Sequence, residues 1–141
     1  MSIFQLKNKV ALVTGGSRGI GLAVAKELLR RNCNVMISGR SEKSLEEAAM
    51  QLRQVNNDTD VGSHDVCRGD VQKACDAKQM IRSTVDKFGG VDIVINNAGV
   101  GIFEDVSEQS VEDWDCVIST NLSGVFYCCQ AAIPYLRERG G

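Results

Sequence analysis

The sequence predicts an α/β fold, a doubly wound parallel sheet within a single domain over residues 1–141. Three observations predict it. Short β-branched apolar runs alternate with stretches of helical periodicity. The first run is apolar almost throughout, as expected of a strand buried on both faces. The order β-α-β-α-β-α-β-α requires right-handed crossovers, which lay helices on both sides of the sheet.

Residues 9–14 (KVALVT) read as the first strand, followed by glycines. Ile20, Ala23, Val24 and Leu28 then repeat at helical spacing. Asn32 follows Arg30 and Arg31; asparagine tolerates the left-handed backbone that ends many helices, and the cations suit the C-terminal dipole. Residues 34–38 (NVMIS) give the second strand. Ser41 is placed to cap a helix with Leu45, Ala48, Leu52 and Val55 on one face. The polar run 56–60 is surface loop.

A weaker, polar strand falls within residues 61–69. The next helical face is Ala77, Ile81, Val85 and Phe88, ended by Gly89 and Gly90. Residues 91–95 (VDIVI) are the fourth strand. After Gly99 the chain turns irregular, and a long helix is expected from about Ser110 to Arg139, kinked or strained at Pro134.

Composition removes several classes of function. The chain is 43% hydrophobic and 24% charged, with net charge -2, so it lacks the basic excess of a nucleic-acid binder. No apolar run approaches the ~18 residues of a membrane span, and residues 1–9 contain no apolar signal segment. The six cysteines form no C-x-x-C pair and there is one histidine, which argues against a structural zinc site. Scattered thiols without a secretion signal suit the cytoplasm. Cys128 and Cys129 read as two helix positions or, alternatively, as a redox pair.

Residues 14–21 (TGGSRGIG) join the first strand to the first helix. Glycines there allow a tight turn, close approach of a ligand to the backbone and close helix–strand packing. The free N–H groups at the helix start face an anion, for which a pyrophosphate is suited. Any tight β–α turn also uses glycine, so the motif alone does not decide. The spacing is not that of a phosphate-binding G-x-x-x-x-G-K-[ST] loop.

The second strand ends Ser38-Gly39-Arg40. A carboxylate at this place bonds the ribose hydroxyls of NAD and would repel a 2′-phosphate. Gly39 leaves room for that phosphate, and Arg40 can pair with it; Arg18 supplies a second cation. Both arginines also read as solvated surface charges. The Gly39-Arg40 pair argues against a methyltransferase, which would carry an acidic residue here.

Together with residues 96–99 (NNAG) and 119–122 (STNL), the glycine turn resembles that of the short-chain dehydrogenase/reductase family, in order over nearly the whole chain. Within the family the sequence is similar to NADP(H)-preferring reductases of acyl-carrier-protein substrates. The resemblance implies a Rossmann-type sheet and NADP(H) as cofactor. It implies that Gly15, Ser17, Arg18, Gly19, Ile20 and Gly21 line the pyrophosphate and adenosine ribose, with Arg40 at the 2′-phosphate. Asp70 and Val71 would sit beside the adenine, with Asp65 and Val66 as the rival pair. Asn97, Ala98 and Gly99 would pack on the cofactor. Asn121 matches the family's catalytic asparagine, which holds a water in a proton relay; read alone, it is a local kink or a satisfied polar group.

The family's serine and Tyr-x-x-x-Lys pair follow the next strand, and the sequence reaches Gly140-Gly141 before it. Tyr135 has Arg139, not lysine, four residues on. The expectation is therefore a fold truncated after the fourth strand and its following helix. It would carry the cofactor half of an oxidoreductase acting on a small carbonyl or alcohol substrate. The alternative is a non-catalytic NADP(H)-binding module or an inactive fragment. The fourth strand would form an edge, and an exposed apolar surface would drive self-association.

Overall fold

The computed structural model describes residues 6–55 and 62–140. Four strands, β1 (Val10–Thr14), β2 (Asn34–Gly39), β3 (His64–Arg68) and β4 (Ile93–Ile95), form one parallel sheet in the order β3-β2-β1-β4. The helices are α1 (Gly19–Arg30), α2 (Glu42–Val55), α3 (Ala74–Phe88), α4 (Val111–Ile118) and α5 (Gly124–Glu138). The predicted loop at 56–60 lies outside the described residues.

Alternation along the two central strands creates two cores. Ala11, Val13, Val35 and Ile37 point to α1 and α2, where they meet Leu22, Leu29, Leu45 and Leu52. Leu12 and Met36 point the other way, to Met80 and Ile81 of α3 and Cys128 and Ala132 of α5. Each such large side chain contributes about 1.5–3 kcal/mol through burial. The sheet is thus covered on both faces as the patterning predicts, with β4 at one edge.

The helix ends follow local chemistry. Asn32 takes the left-handed backbone, φ 61°, just after α1. Ser41 accepts the Ser44 N–H at 3.3 Å and caps α2. Gly89 ends α3 at φ 82°. Ser110 accepts the Asp113 N–H at 3.0 Å and caps α4.

Three expectations need correction. The buried face of α1 is Leu22, Ala25, Leu28 and Leu29, while Ile20 and Ala23 are exposed. The helix starts inside the glycine turn, so its first residue pair faces the open end of the sheet. The fourth strand is shorter than the apolar run, with Val91 and Asp92 leading into it. The long C-terminal helix is not broken at Pro134, through which α5 continues to Glu138. Pro134 is exposed, so water can satisfy the carbonyl its ring leaves without a donor. The irregularity lies instead at Ser119–Ser123, one π-turn in which the Gly124 N–H reaches back to the Ser119 carbonyl.

The stretch Val111–Glu138, 28 residues with an 18-residue window of mean hydropathy 1.3, is long and apolar enough to cross a membrane by length and composition alone. Only part of that apolarity is packed: Cys128 and Ala132 are fully buried against α3 and the sheet.

Candidate functional site

A cleft of about 710 Å³ opens at the C-terminal ends of the strands, the place where parallel α/β sheets bind ligands. Gly15, Ser17, Arg18, Gly19 and Ile20 form its floor. Gly15 and Gly19 adopt φ of 62° and 55°, left-handed backbone that glycine takes with no steric cost. A Cβ on Gly15 would lie 2.9 Å from the Ala98 Cα. Gly21 sits just behind the cleft, where a Cβ would lie 2.5 Å from both Asn97 Nδ2 and the Gly15 carbonyl.

Arg18 precedes α1 with extended backbone and makes no side-chain cap. The first backbone donor used inside the helix is Leu22 N–H, to the Arg18 carbonyl at 3.3 Å. The preceding N–H groups and the helix dipole are directed to the cleft, an arrangement suited to an anion.

The end of β2 forms the second wall with Ser38, Gly39, Arg40, Ser41 and Ser44. No carboxylate stands there. A Cβ on Gly39 would meet Ser17 Oγ at 3.5 Å, an ordinary contact; glycine leaves space here without being sterically required.

Gly69, Asp70 and Val71 form the third wall. Asp70 Oδ1 accepts the Gln72 N–H at 3.1 Å. The Asp70 N–H donates to Asp76 at 2.9 Å and holds that carboxyl below the usual carboxylate range. The rival Asp65 is elsewhere, paired with Lys87 at 2.9 Å.

Asn97 ties the fourth wall to the floor. Its Nδ2 donates to the carbonyls of Thr14 at 3.1 Å and Gly15 at 3.0 Å. Thr14 Oγ1 accepts the N–H groups of Asn97 and Ala98. Asn96 turns away to Cys129 Sγ. Ala98, Gly99 and Val100 continue the wall.

Asn121 is not among the cleft-lining residues, but it holds one that is. Its Oδ1 accepts the Val100 N–H at 2.9 Å, and its Nδ2 donates to the Val100 carbonyl at 2.8 Å. The side chain therefore positions the segment after β4. Thr120, its neighbour in the π-turn, lines the cleft directly.

The structure thus gathers Gly15, Ser17, Arg18, Gly19, Ile20, Arg40, Asp70, Val71, Asn97, Ala98 and Gly99 around one cleft. Sequence reasoning missed Ser38, Ser41, Ser44, Gly69, Val100 and Thr120 as cleft residues. Ser38 and Gly69 could have been found from one signal, since residues at the C-terminal end of each strand of a parallel sheet face this crevice.

Among the described residues no group of three or more His, Cys, Asp or Glu is arranged for a metal. Burial pushes the Cys33 and Cys128 thiols up to about 11 and that of Cys67 to about 12. Such thiols stay protonated near neutrality, so Cys128 serves as core.

The short chain dehydrogenase family model matches residues 9–141. An uncharacterized oxidoreductase of Staphylococcus epidermidis is 39% identical over 135 residues, covering 96% of this chain and 55% of the relative. A 3-oxoacyl-[acyl-carrier-protein] reductase of that species is 38% identical, covering 95% and 54%. A 3alpha-hydroxysteroid dehydrogenase of Mediterraneibacter gnavus is 34% identical, covering 97% and 54%. A dehydrogenase/reductase of Sinorhizobium meliloti superposes with TM-score 0.86 at 32% identity, covering 94% of this chain and 51% of that one. A double mutant of a Serratia marcescens short-chain dehydrogenase/reductase gives TM-score 0.85 at 31% identity, covering 94% and 53%. The chain spans about half the length of the curated relatives it matches. With the glycine turn, the strand-end walls and a family model that matches from Lys9 onward, this chain belongs to the short-chain dehydrogenase family.

Proposed function

We propose that this chain is the NADP(H)-binding half of an oxidoreductase that moves a hydride between the nicotinamide and a small-molecule substrate bearing a carbonyl or alcohol. One observation carries the cofactor reading. Arg40 and Arg18 line the same cleft, and no carboxylate stands at the end of β2. Neither arginine is ion-paired among the described residues. The uncapped start of α1 and the glycine backbone fit a pyrophosphate.

When bound, the nicotinamide supplies the redox chemistry. The chain's own residues bind and orient. The N–H groups after Arg18 hold the pyrophosphate, and Arg40 and Arg18 the 2′-phosphate. Asp70 and Val71 flank the adenine. Asn97 fixes the floor against the wall made by Ala98 and Gly99. Asn121, which the family resemblance assigns to a water of the proton relay, holds the Val100 segment through its two side-chain bonds. The general acid comes from outside these residues in this reading, because neither Tyr127 nor Tyr135 lines the cleft. That observation also supports a second reading, an NADP(H)-binding module without turnover. The setting is the cytoplasm, and the chain self-associates through the outer face of α4 and α5.

The test is a fluorescence titration of the chain with NADPH and with NADH. Saturable binding that prefers NADPH at least about tenfold is expected, one charge-assisted contact's worth. Arg40→Ala removes the preference. Gly39→Asp, for which there is space, reverses it towards NADH. Equal affinity for both nucleotides rejects the 2′-phosphate site. NADPH oxidation with a ketone panel by this chain alone rejects the assignment of the general acid to other residues.

A further inference from the structure

We infer that Arg68 is a specificity-determining residue for the phosphorylated ribose, reaching it from a side groove of the cleft; this rests on the NADP(H) reading above. The strand register sets Arg68 opposite Gly39, the position without a side chain. The Gly69 N–H donates to the Gly39 carbonyl at 3.0 Å, so the two chain ends stay together past the last pair. Arg68 Nε then donates to the Arg40 carbonyl at 3.1 Å. The Arg68 guanidinium is therefore held against the backbone of the residue proposed to grip the 2′-phosphate.

A groove of about 440 Å³ runs on from the cleft at this point. Arg40, Gly69 and Asp70 line both spaces. The groove adds Arg68 and Lys73, so three cations face the carboxylates of Asp70 and Asp76. Each carboxylate accepts a backbone N–H, Asp76 from Asp70 at 2.9 Å and Asp70 from Gln72 at 3.1 Å, and Asp76 also lies in the field of Lys73 and Arg68. Arg68 has no ion pair among the described residues. Its one bond uses Nε on a backbone carbonyl, which leaves its terminal donors for an anion.

The chemistry matches a dianionic monoester. A guanidinium offers paired donors to phosphate oxygens, and two guanidiniums joined through one backbone segment are pre-ordered around such a group. Arg68 acts in two ways: it adds charge, and it keeps the Arg40 backbone in place. The added charge acts on the 2′-phosphate, which NADH lacks.

The experiment titrates Arg68→Ala and Arg68→Lys with NADPH, NADH and 2′,5′-ADP, beside Arg40→Ala and the unchanged chain. Arg68→Ala should weaken NADPH and 2′,5′-ADP about tenfold, the scale of one charge-assisted hydrogen bond, with NADH within about twofold. Arg68→Lys keeps the charge but not the fork, and should recover part of the loss. Unchanged NADPH affinity in Arg68→Ala overturns the inference, and so does a parallel fall in NADH. If Arg68→Ala does not fold, Arg68→Lys decides: a selective NADPH loss supports the role, and wild-type affinity overturns it. If Arg40→Ala changes the NADPH preference and Arg68→Ala does not, this inference fails alone. If the unchanged chain shows no NADPH preference, the cofactor reading fails with it.

Discussion

Gln72 Nε2 donates to Thr120 Oγ1 at 2.7 Å, and the bond joins two walls of the cleft that lie 48 residues apart in sequence. Gln72 follows Asp70 and Val71, and Thr120 precedes Asn121 in the π-turn. A Cβ on Gly124 would lie 2.9 Å from Val71 Cγ2 and 3.1 Å from the Val71 carbonyl oxygen, so the two segments are already in close approach behind the bond. Gln72→Ala should cost about 1 kcal/mol, the net worth of one such bond, and weaken the dinucleotide a few-fold. Thr120→Val should cost more, because it also removes the Thr120 Oγ1 bond to the Cys116 carbonyl. The double variant should lose less than the sum of the two single ones, because both remove the shared Gln72–Thr120 bond. Thermal melts and NADPH titrations over the four proteins measure this. Additive losses would show that the bond couples nothing.

That relationship marks where the sequence stops being legible. The four strands and the glycine turn were readable because alternation and turn chemistry are local. The spacing to Phe88 and Gly89 already favours Asp70 over Asp65; the structure adds that Asp70 lines the cleft while Asp65 pairs with Lys87 on α3. The face of α1 was misjudged because it depends on which residue of the glycine turn starts the helix. The π-turn has no compositional mark. Ser119 and Thr120 both donate side-chain bonds to the Cys116 carbonyl, at 3.2 and 2.8 Å, yet the same residues sit in ordinary helices. Gln72 has no local signature because its partner is distant in the chain.

Gly21 tests the packing between the floor and the wall. Its missing Cβ is what allows Asn97 Nδ2 to bond the Gly15 carbonyl at 3.0 Å. Gly21→Ala should destabilise by about 1–3 kcal/mol through overpacking, although alanine is the better helix former. Nucleotide affinity should fall with it, since the displaced groups form the floor. A melt at or above that of the unchanged chain would show that the turn has room to relax.

Asp92 predicts a pH dependence. Its side chain is only 6% exposed and meets Arg139 at 3.0 Å and Lys9 at 3.3 Å; it also accepts the Val10 N–H at 2.9 Å. Burial pushes the carboxyl up, but the Arg139 bond, the Val10 N–H and Lys9 outweigh it, and the net shift is downward. A lowered folded-state value means the stabilisation is complete above the ordinary carboxylate range and is lost as pH falls through the depressed value. Asp92→Asn should cost about 2 kcal/mol at pH 7, with the gap closing below about pH 4. Urea melts across pH 3–7 measure it. A gap that is constant with pH would assign the loss to packing rather than charge.

The outer face of α4 and α5 tests self-association. Val111, Trp114, Leu122 and Phe126 follow one another at helical spacing, with the π-turn supplying the extra residue before Leu122, and all four are more than half exposed. A contiguous apolar face of this kind marks an association surface. Trp114 is the one tryptophan of the chain, so its emission reports burial of this face alone. Sedimentation should show dimers or larger species in the micromolar range, with Trp114 emission shifting red on dilution. Phe126→Glu places a charge at the centre of the face and should shift the chain to monomer without lowering its melting temperature, because the ring is exposed in the single chain. A sharp monomer at about 100 μM with concentration-independent emission would leave the face without a partner of its own kind.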